Sequence, residues 1–195
     1  MSHYGGFMSE NLHSRFESIL RKIGFKNDIE KPVFYNSDIG LRFELGHGKV
    51  YIENTPNPIY VSGCLERAEK LLTAVSPDVM RVDVYPDDKF YSVTKDYLIR
   101  TLGLPQDCVK DEDVHHLYWS ITDINKCVLI LRQVILSDIG GAYDLNSCVY
   151  FADSSNTVMY YIYDDRGADI VSDNTEALMP VYKKFNEWIL EMELN

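Results

Sequence analysis

Tyr160-Tyr161-Ile162-Tyr163-Asp164-Asp165-Arg166-Gly167-Ala168-Asp169-Ile170 runs from an aromatic, β-forming segment through a charged reversal and back into β-forming residues. Rings and β-branched side chains suit a pleated surface, so the stretch predicts two strands joined by a tight turn. Three charged side chains at such a reversal are expected on display at a strand end, with Gly167 supplying the positive φ that tight turns often need. Just upstream, Cys148 to Phe151 precedes the polar Asp153-Ser154-Ser155-Asn156, which leads into Thr157 to Tyr163. With Ala168 to Val171 this makes a C-terminal β-meander. Downstream, Asp173 and Glu176 have capping-box spacing. Leu178, Val181, Tyr182, Phe185, Trp188, Ile189 and Met192 then recur on one helical face, predicting a terminal helix with Pro180 in its first turns or at a kink.

Toward the N-terminus the pattern alternates helix and strand. Residues 1–8 read as a flexible leader, and Ser9 caps a helix to Gly24 whose apolar stripe is Leu12, Phe16, Ile19, Leu20 and Ile23. Residues 39–45 alternate apolar and polar side chains as a half-exposed strand does, and Gly46-His47-Gly48 turns them into a hairpin with residues 50–53. Prolines at 56 and 58 precede a helix over 58–75. Val79 to Tyr85 alternates again, Pro86-Asp87-Asp88 is a turn, and Thr94 to Leu102 is a short helix ended by Gly103 and Pro105. Gln106 to Val114 reads as a surface loop, His116 to Thr122 as a strand, and Asp123 to about Leu136 as an apolar helix stopped by Gly140-Gly141. The fold expected is one α+β domain over 1–195, an antiparallel sheet with several helices packed on it.

Composition narrows the function classes. The chain has 195 residues, 46% of them hydrophobic, and a net charge of −11. That charge is uneven: residues 1–77 hold 9 acidic and 9 basic side chains, whereas 78–195 hold 21 and 10. An anionic surface repels nucleic-acid backbones and anionic lipid and steers toward cationic partners. Four cysteines without a C-x-x-C pair read as buried thiols of a reducing compartment. With no apolar run of membrane-spanning length and no signal-peptide pattern, a cytoplasmic protein that is a monomer or weak dimer is expected.

No motif announces catalysis. Walker, Rossmann and nucleophile-elbow patterns are missing, and His115-His116, as neighbours on a strand, face opposite sides and suit one metal poorly. The Asp164-Asp165-Arg166 turn admits two readings. Its carboxylates share a hard cation only if the turn bends them together, with Arg166 on the substrate. Otherwise one Asp accepts backbone N–H groups and Arg166 pairs with a carboxylate. Trp188 and Trp119 read as core anchors. No catalytic residue, cofactor or metal site is assigned.

A resemblance takes the reading further. Phe43-Glu44-Leu45-Gly46, Leu65-Glu66-Arg67-Ala68, Tyr161-Ile162-Tyr163-Asp164-Asp165-Arg166-Gly167, and Leu178-x-Pro180-x-Tyr182-x-Lys184-x-Asn186-x-Trp188-Ile189-Leu190 resemble a mainly bacterial family catalogued as domain of unknown function 3885. The likeness is strongest over 145–192 and looser over 10–85. It implies a small cytoplasmic α+β protein with no established activity. Its layout is similar to that of the immunity proteins of bacterial toxin and contact-inhibition systems. On this reading the protein neutralises a cognate toxin, a basic nuclease domain, through Asp87, Asp88, Asp111, Glu112, Asp113, Asp164 and Asp165, with Arg166, Gly167 and Trp188 as structural residues. The alternatives are a metal-dependent hydrolase or transferase centred on Asp164, Asp165 and Arg166, and an interaction module for some other protein.

Overall fold

A computed structural model describes residues 11–194; the expected leader and the Ser9 cap lie outside the described residues. The elements follow the hydrophobic periods closely. Helix α1 (Leu12–Ile23) is capped by Asn11, whose side chain accepts the Ser14 N–H at 2.8 Å, and it ends on Gly24 at φ 117°. Strand β1 (Ile39–Glu44) follows, then a short β2–β3 ribbon (Tyr51–Ile52 and Thr55–Pro56) and helix α2 (Pro58–Val75). Proline at the first helical position and an Asn57 cap fix where α2 starts. Next come β4 (Val79–Val84), α3 (Tyr91–Leu102), β5 (Asp107–Lys110), β6 (His115–Ser120) and α4 (Ile124–Ser137). The chain then makes β7 (Val149–Asp153), β8 (Val158–Ile162), β9 (Gly167–Ser172), α5 (Thr175–Phe185) and β10 (Ile189–Leu194).

Eight strands form one sheet in the order β10-β1-β9-β8-β7-β4-β6-β5, and every neighbouring pair is antiparallel. The α+β class and the β7-β8-β9 meander are therefore as the sequence reads. Both faces of the sheet are covered. On one side α2, α4 and α5 bury Leu71, Leu72, Ile130, Leu131, Leu178 and Phe185 against Phe43, Val82, Phe151 and Tyr160. On the other, α1 lays Phe16, Ile19 and Leu20 over Tyr118, Tyr150, Met159 and Tyr161. Buried apolar area on both faces is the main stabilising term.

Four expectations are corrected. The last helix stops at Phe185, and residues 189–194 turn back as β10 beside β1, so Met192 is exposed. Its period also fits a strand, and pairing in five register positions covers the outer edge of β1, whose backbone groups a longer helix would leave unpaired. Residues 50–53 do not pair with β1; β2 pairs only with β3. The polar 106–114 stretch contains β5, an edge strand whose burial alternates as one-sided strands do. Cys108, on that strand, is exposed, whereas Cys64, Cys127 and Cys148 are buried.

Candidate functional site

Strand register decides where the acidic side chains meet. Val84 pairs with His115, Val82 with Val149, Val149 with Ile162, and Glu44 with Gly167. The end of β4, the β5–β6 turn, the start of β7, the β8–β9 turn and the end of β1 therefore share one end of the sheet. Asp87 and Asp88 follow β4, Asp111, Glu112 and Asp113 form the β5–β6 turn, and Asp164 and Asp165 form the β8–β9 turn. All seven sequence-nominated carboxylates thus lie along one rim, about 20 Å long at a strand spacing of about 4.8 Å. Asp138 and Asp144, in the segment feeding β7, add to it and were not singled out from sequence.

The rim is not uniformly open. Asp87, Asp111, Glu112 and Asp113 are exposed and Asp88 is half-buried, its Oδ1 accepting the Phe90 N–H at 2.5 Å ahead of α3. Asp164 and Asp165, expected on display, are each only 2% exposed. Oδ1 of Asp164 accepts the Arg166 N–H at 2.7 Å and its Oδ2 accepts Arg166 Nε at 2.7 Å, with Nη2 also in contact. The turn is thus closed by its own side chain, while Arg166 stands out in solvent. Asp165 accepts the Tyr60 hydroxyl from α2 at 2.6 Å. Burial, then the neighbouring Asp164 and Asp138, push its carboxyl above the usual range against the hydrogen bond from Tyr60.

Gly167 is required for a different reason from the one its sequence suggests. It is not among the glycines with positive φ. A Cβ there would overlap the Tyr163 hydroxyl and sit 2.7 Å from the Phe43 carbonyl oxygen. Close approach, not turn conformation, selects glycine. The same holds at Gly46, where a Cβ would overlap the Tyr60 hydroxyl that serves Asp165 and lie 2.9 Å from the Asp165 carbonyl.

Oxygens of Asp138, Asp164 and Asp165 lie within 4.8 Å of one another. The turn therefore does bend the two carboxylates together. Each is also already committed, Asp164 to Arg166 and Asp165 to Tyr60, so neither presents a bare carboxylate to substrate. Trp188 is half-buried, stacked 4.9 Å from Phe185 with the Arg67 and Lys70 cations over its ring at 5.3 and 5.8 Å.

Beneath α1 lies a charge network that period-two reading hides. Arg81 is 1% exposed and donates to Asp83 at 2.7 Å and to Asp28 at 2.9 Å. His116 Nδ1 is 2.7 Å from Asp83 and 2.8 Å from Arg81, and its Nε2 is 3.3 Å from Asp111. Burial raises the Asp28 carboxyl, but the hydrogen bond and charge of Arg81 outweigh it and hold the group below its ordinary value. His115 points elsewhere, its Nδ1 3.0 Å from the Tyr91 hydroxyl. Burial, with Lys110 and Lys95 nearby, lowers its basicity. The two histidines do face apart, and neither shares a site with the other.

The same rim also carries a cleft of about 380 Å³ above β8 and β9, lined by Lys31, Arg42, Arg166, Asn146, Tyr161 and Tyr163, among other residues. Sequence reading missed it, because Lys31 and Arg42 are isolated cations until the fold brings them to the turn. Arg42 grips the fully buried Asp169 through two hydrogen bonds, at 2.9 and 3.1 Å. That pairing holds the guanidinium charged, while burial pushes the Asp169 carboxyl up.

Among the described residues no helix is long and apolar enough to cross a membrane. No solved structure matches the chain. A curated relative, the uncharacterised protein YnaE of Bacillus subtilis (strain 168), is 30% identical over 43 residues, or 22% of this chain and 20% of that protein. The match therefore spans about a fifth of that relative's length. The family model described as "Domain of unknown function (DUF3885)" matches residues 16–193, which include the β8–β9 turn, the acidic rim and β10, and the chain belongs to that family.

Proposed function

We propose that this protein is a stoichiometric binding partner of the immunity type, which neutralises a basic toxin domain by covering it with the acidic rim. The single observation that carries the reading is the convergence, by strand register, of three acidic clusters far apart in sequence on one end of the sheet. Asp87, Asp111, Glu112 and Asp113 are the direct contacts, Asp88 a flanking one. Asp164 and Asp165 act from within, by fixing the turn that presents Arg166. Complementary charge of this kind accelerates capture and disfavours wrong partners. A nuclease active-site face is itself cationic, because it must hold phosphates. A standard interface of about 1,600 Å² is compatible with a rim of this length.

The metal-dependent enzyme reading asks Asp164 and Asp165 to be free ligands. Their hydrogen bonds to Arg166 and Tyr60 favour the structural role instead. The test is co-expression with the products of the neighbouring reading frames, a basic nuclease domain being the one expected to pair. The reading expects a 1:1 complex at low salt that loses nuclease activity, and a nuclease that stays active and separate overturns it.

A further inference from the structure

The cleft above β8 and β9 gathers three cations, Lys31, Arg42 and Arg166, in a chain of net charge −11. Its two carboxylates are already neutralised, Asp169 by Arg42 and Asp164 by Arg166. Lys31 makes no ion pair with a carboxylate among the described residues. Its ammonium donates to the Ser147 carbonyl at 2.5 Å and lies 5.8 and 6.0 Å from the Tyr150 and Tyr161 ring centres. The lining side chains themselves carry one net positive charge, with Glu191 just outside them, 3.9 Å from Arg42. Several donors at its exposed mouth are free for a ligand: two ammonium protons of Lys31, Nη1 of Arg166 and the side-chain NH2 of Asn146 have no protein acceptor among the described residues. A group that only accepts satisfies such a set, and an anion satisfies both the charge and the donors.

The volume, about 380 Å³, falls in the range of small-molecule sites. Tyr161 and Tyr163, with ring centres 5.9 Å apart and planes tilted by 45°, supply an apolar corner against which a ring can pack. We propose that this cleft binds a small organic anion, a carboxylate or phosphate carried on a flat ring system, with Lys31 and Arg166 on the anionic group and the tyrosines along the ring. The cleft shares Arg166 with the toxin-binding rim, but a small anion is titrated without any toxin present, so the two readings fail separately.

The test is calorimetric titration of the full chain with adenosine 5′-monophosphate and with benzoate, which separate the two anion sources. Adenosine and inorganic phosphate serve as half-ligand controls for the nucleotide, and benzyl alcohol and acetate for benzoate. Saturable binding of either anion, at least tenfold tighter than its matched controls, is expected. Lys31→Met keeps an apolar stem against the rings and should weaken binding at least tenfold with the thermal midpoint of the free protein unchanged; Arg166→Gln removes the second cation and also the partner of buried Asp164, so its midpoint falls while its binding, titrated below that midpoint, weakens at least tenfold. Absence of saturable binding by both anions overturns the proposal. Binding that both substitutions leave unchanged overturns it equally, because the anion would then sit elsewhere.

Discussion

Gly167→Ala isolates the claim that close approach shapes the charged turn. The new Cβ would meet three atoms: the Tyr163 hydroxyl in overlap, Tyr163 Cζ at 2.7 Å, and the Phe43 carbonyl oxygen at 2.7 Å. The carbonyl belongs to the β1–β9 ladder, where Phe43 faces Ala168 and Glu44 faces Gly167, so it retreats only by opening the register. Tyr163 is held between the Tyr161 ring and the Arg42 guanidinium, 5.9 Å from each. Overpacking of this kind costs about 1–3 kcal/mol. With backbone as one of the clashing partners, the upper part of that range applies, about 2–3 kcal/mol. In a chain of this size that lowers the thermal midpoint by about 4–12 °C. Urea unfolding followed by far-ultraviolet circular dichroism reads the change directly, provided the m-value is unaltered. Adding Tyr163→Phe removes the hydroxyl contact but not the carbonyl one, so the double variant should recover part of the loss. Gly63→Ala in α2, where a Cβ meets nothing within 4 Å, should instead stabilise by about 0.5–1 kcal/mol. A Gly167→Ala protein as stable as the parent would refute the argument.

Three further outcomes follow from the same geometry. Arg42→Ala leaves Asp169 buried without its cation and should cost about 3–5 kcal/mol by urea unfolding, while Arg42→Met with Asp169→Leu should recover most of it; equal losses in both variants would contradict the pairing. Asp165 holds its proton more tightly folded than unfolded, so its contribution is full below the ordinary 3.8 and is lost as pH rises toward the higher folded value. Asp165→Asn keeps an acceptor for Tyr60 without the charge, and should therefore be the more stable protein at neutral pH, with the advantage fading in acid; a variant less stable at neutral pH would reverse the sign. Burial raises the Cys64 and Cys127 thiols, to about 11 and about 12, and raises Cys148 well above its ordinary value, whereas Cys108 is exposed. A thiol reagent at neutral pH should label one cysteine in the native protein and four in denaturant, and more than one fast native thiol would count against this packing.

How far the sequence discloses the molecule depends on whether the period of a segment has one structural meaning. Leu12, Phe16, Ile19 and Ile23 recur at a spacing only a helix satisfies, and Asn57-Pro58 marks a helix start through both a cap and a fixed φ. Residues 189–194 admit either period, and the free edge of β1, invisible in sequence, settles the choice. Val79-Met80-Arg81-Val82-Asp83-Val84 alternates as a half-exposed strand does, yet α1 covers its polar face, so Arg81 and Asp83 are paired indoors with His116 and Asp28. Charge alone could not separate Asp111, which is exposed, from Asp164, which is buried under Arg166. The acidic rim itself is a product of register: three clusters become one surface only when β4, β6 and β8 are aligned. The cationic cleft is assembled from residues over 130 positions apart, Lys31 to Arg166, and no local pattern marks it.

What remains decisive is whether the exposed carboxylates capture a basic protein. The direct measurement is the association rate with a basic nuclease toxin domain, by stopped-flow fluorescence across a salt series, for the parent chain and for a variant carrying Asp87→Asn, Asp111→Asn, Glu112→Gln and Asp113→Asn. The parent rate should fall steeply with salt, and the variant should associate on the order of tenfold more slowly at low salt with a shallower salt dependence. Equal rates and equal salt slopes for the two proteins would contradict it.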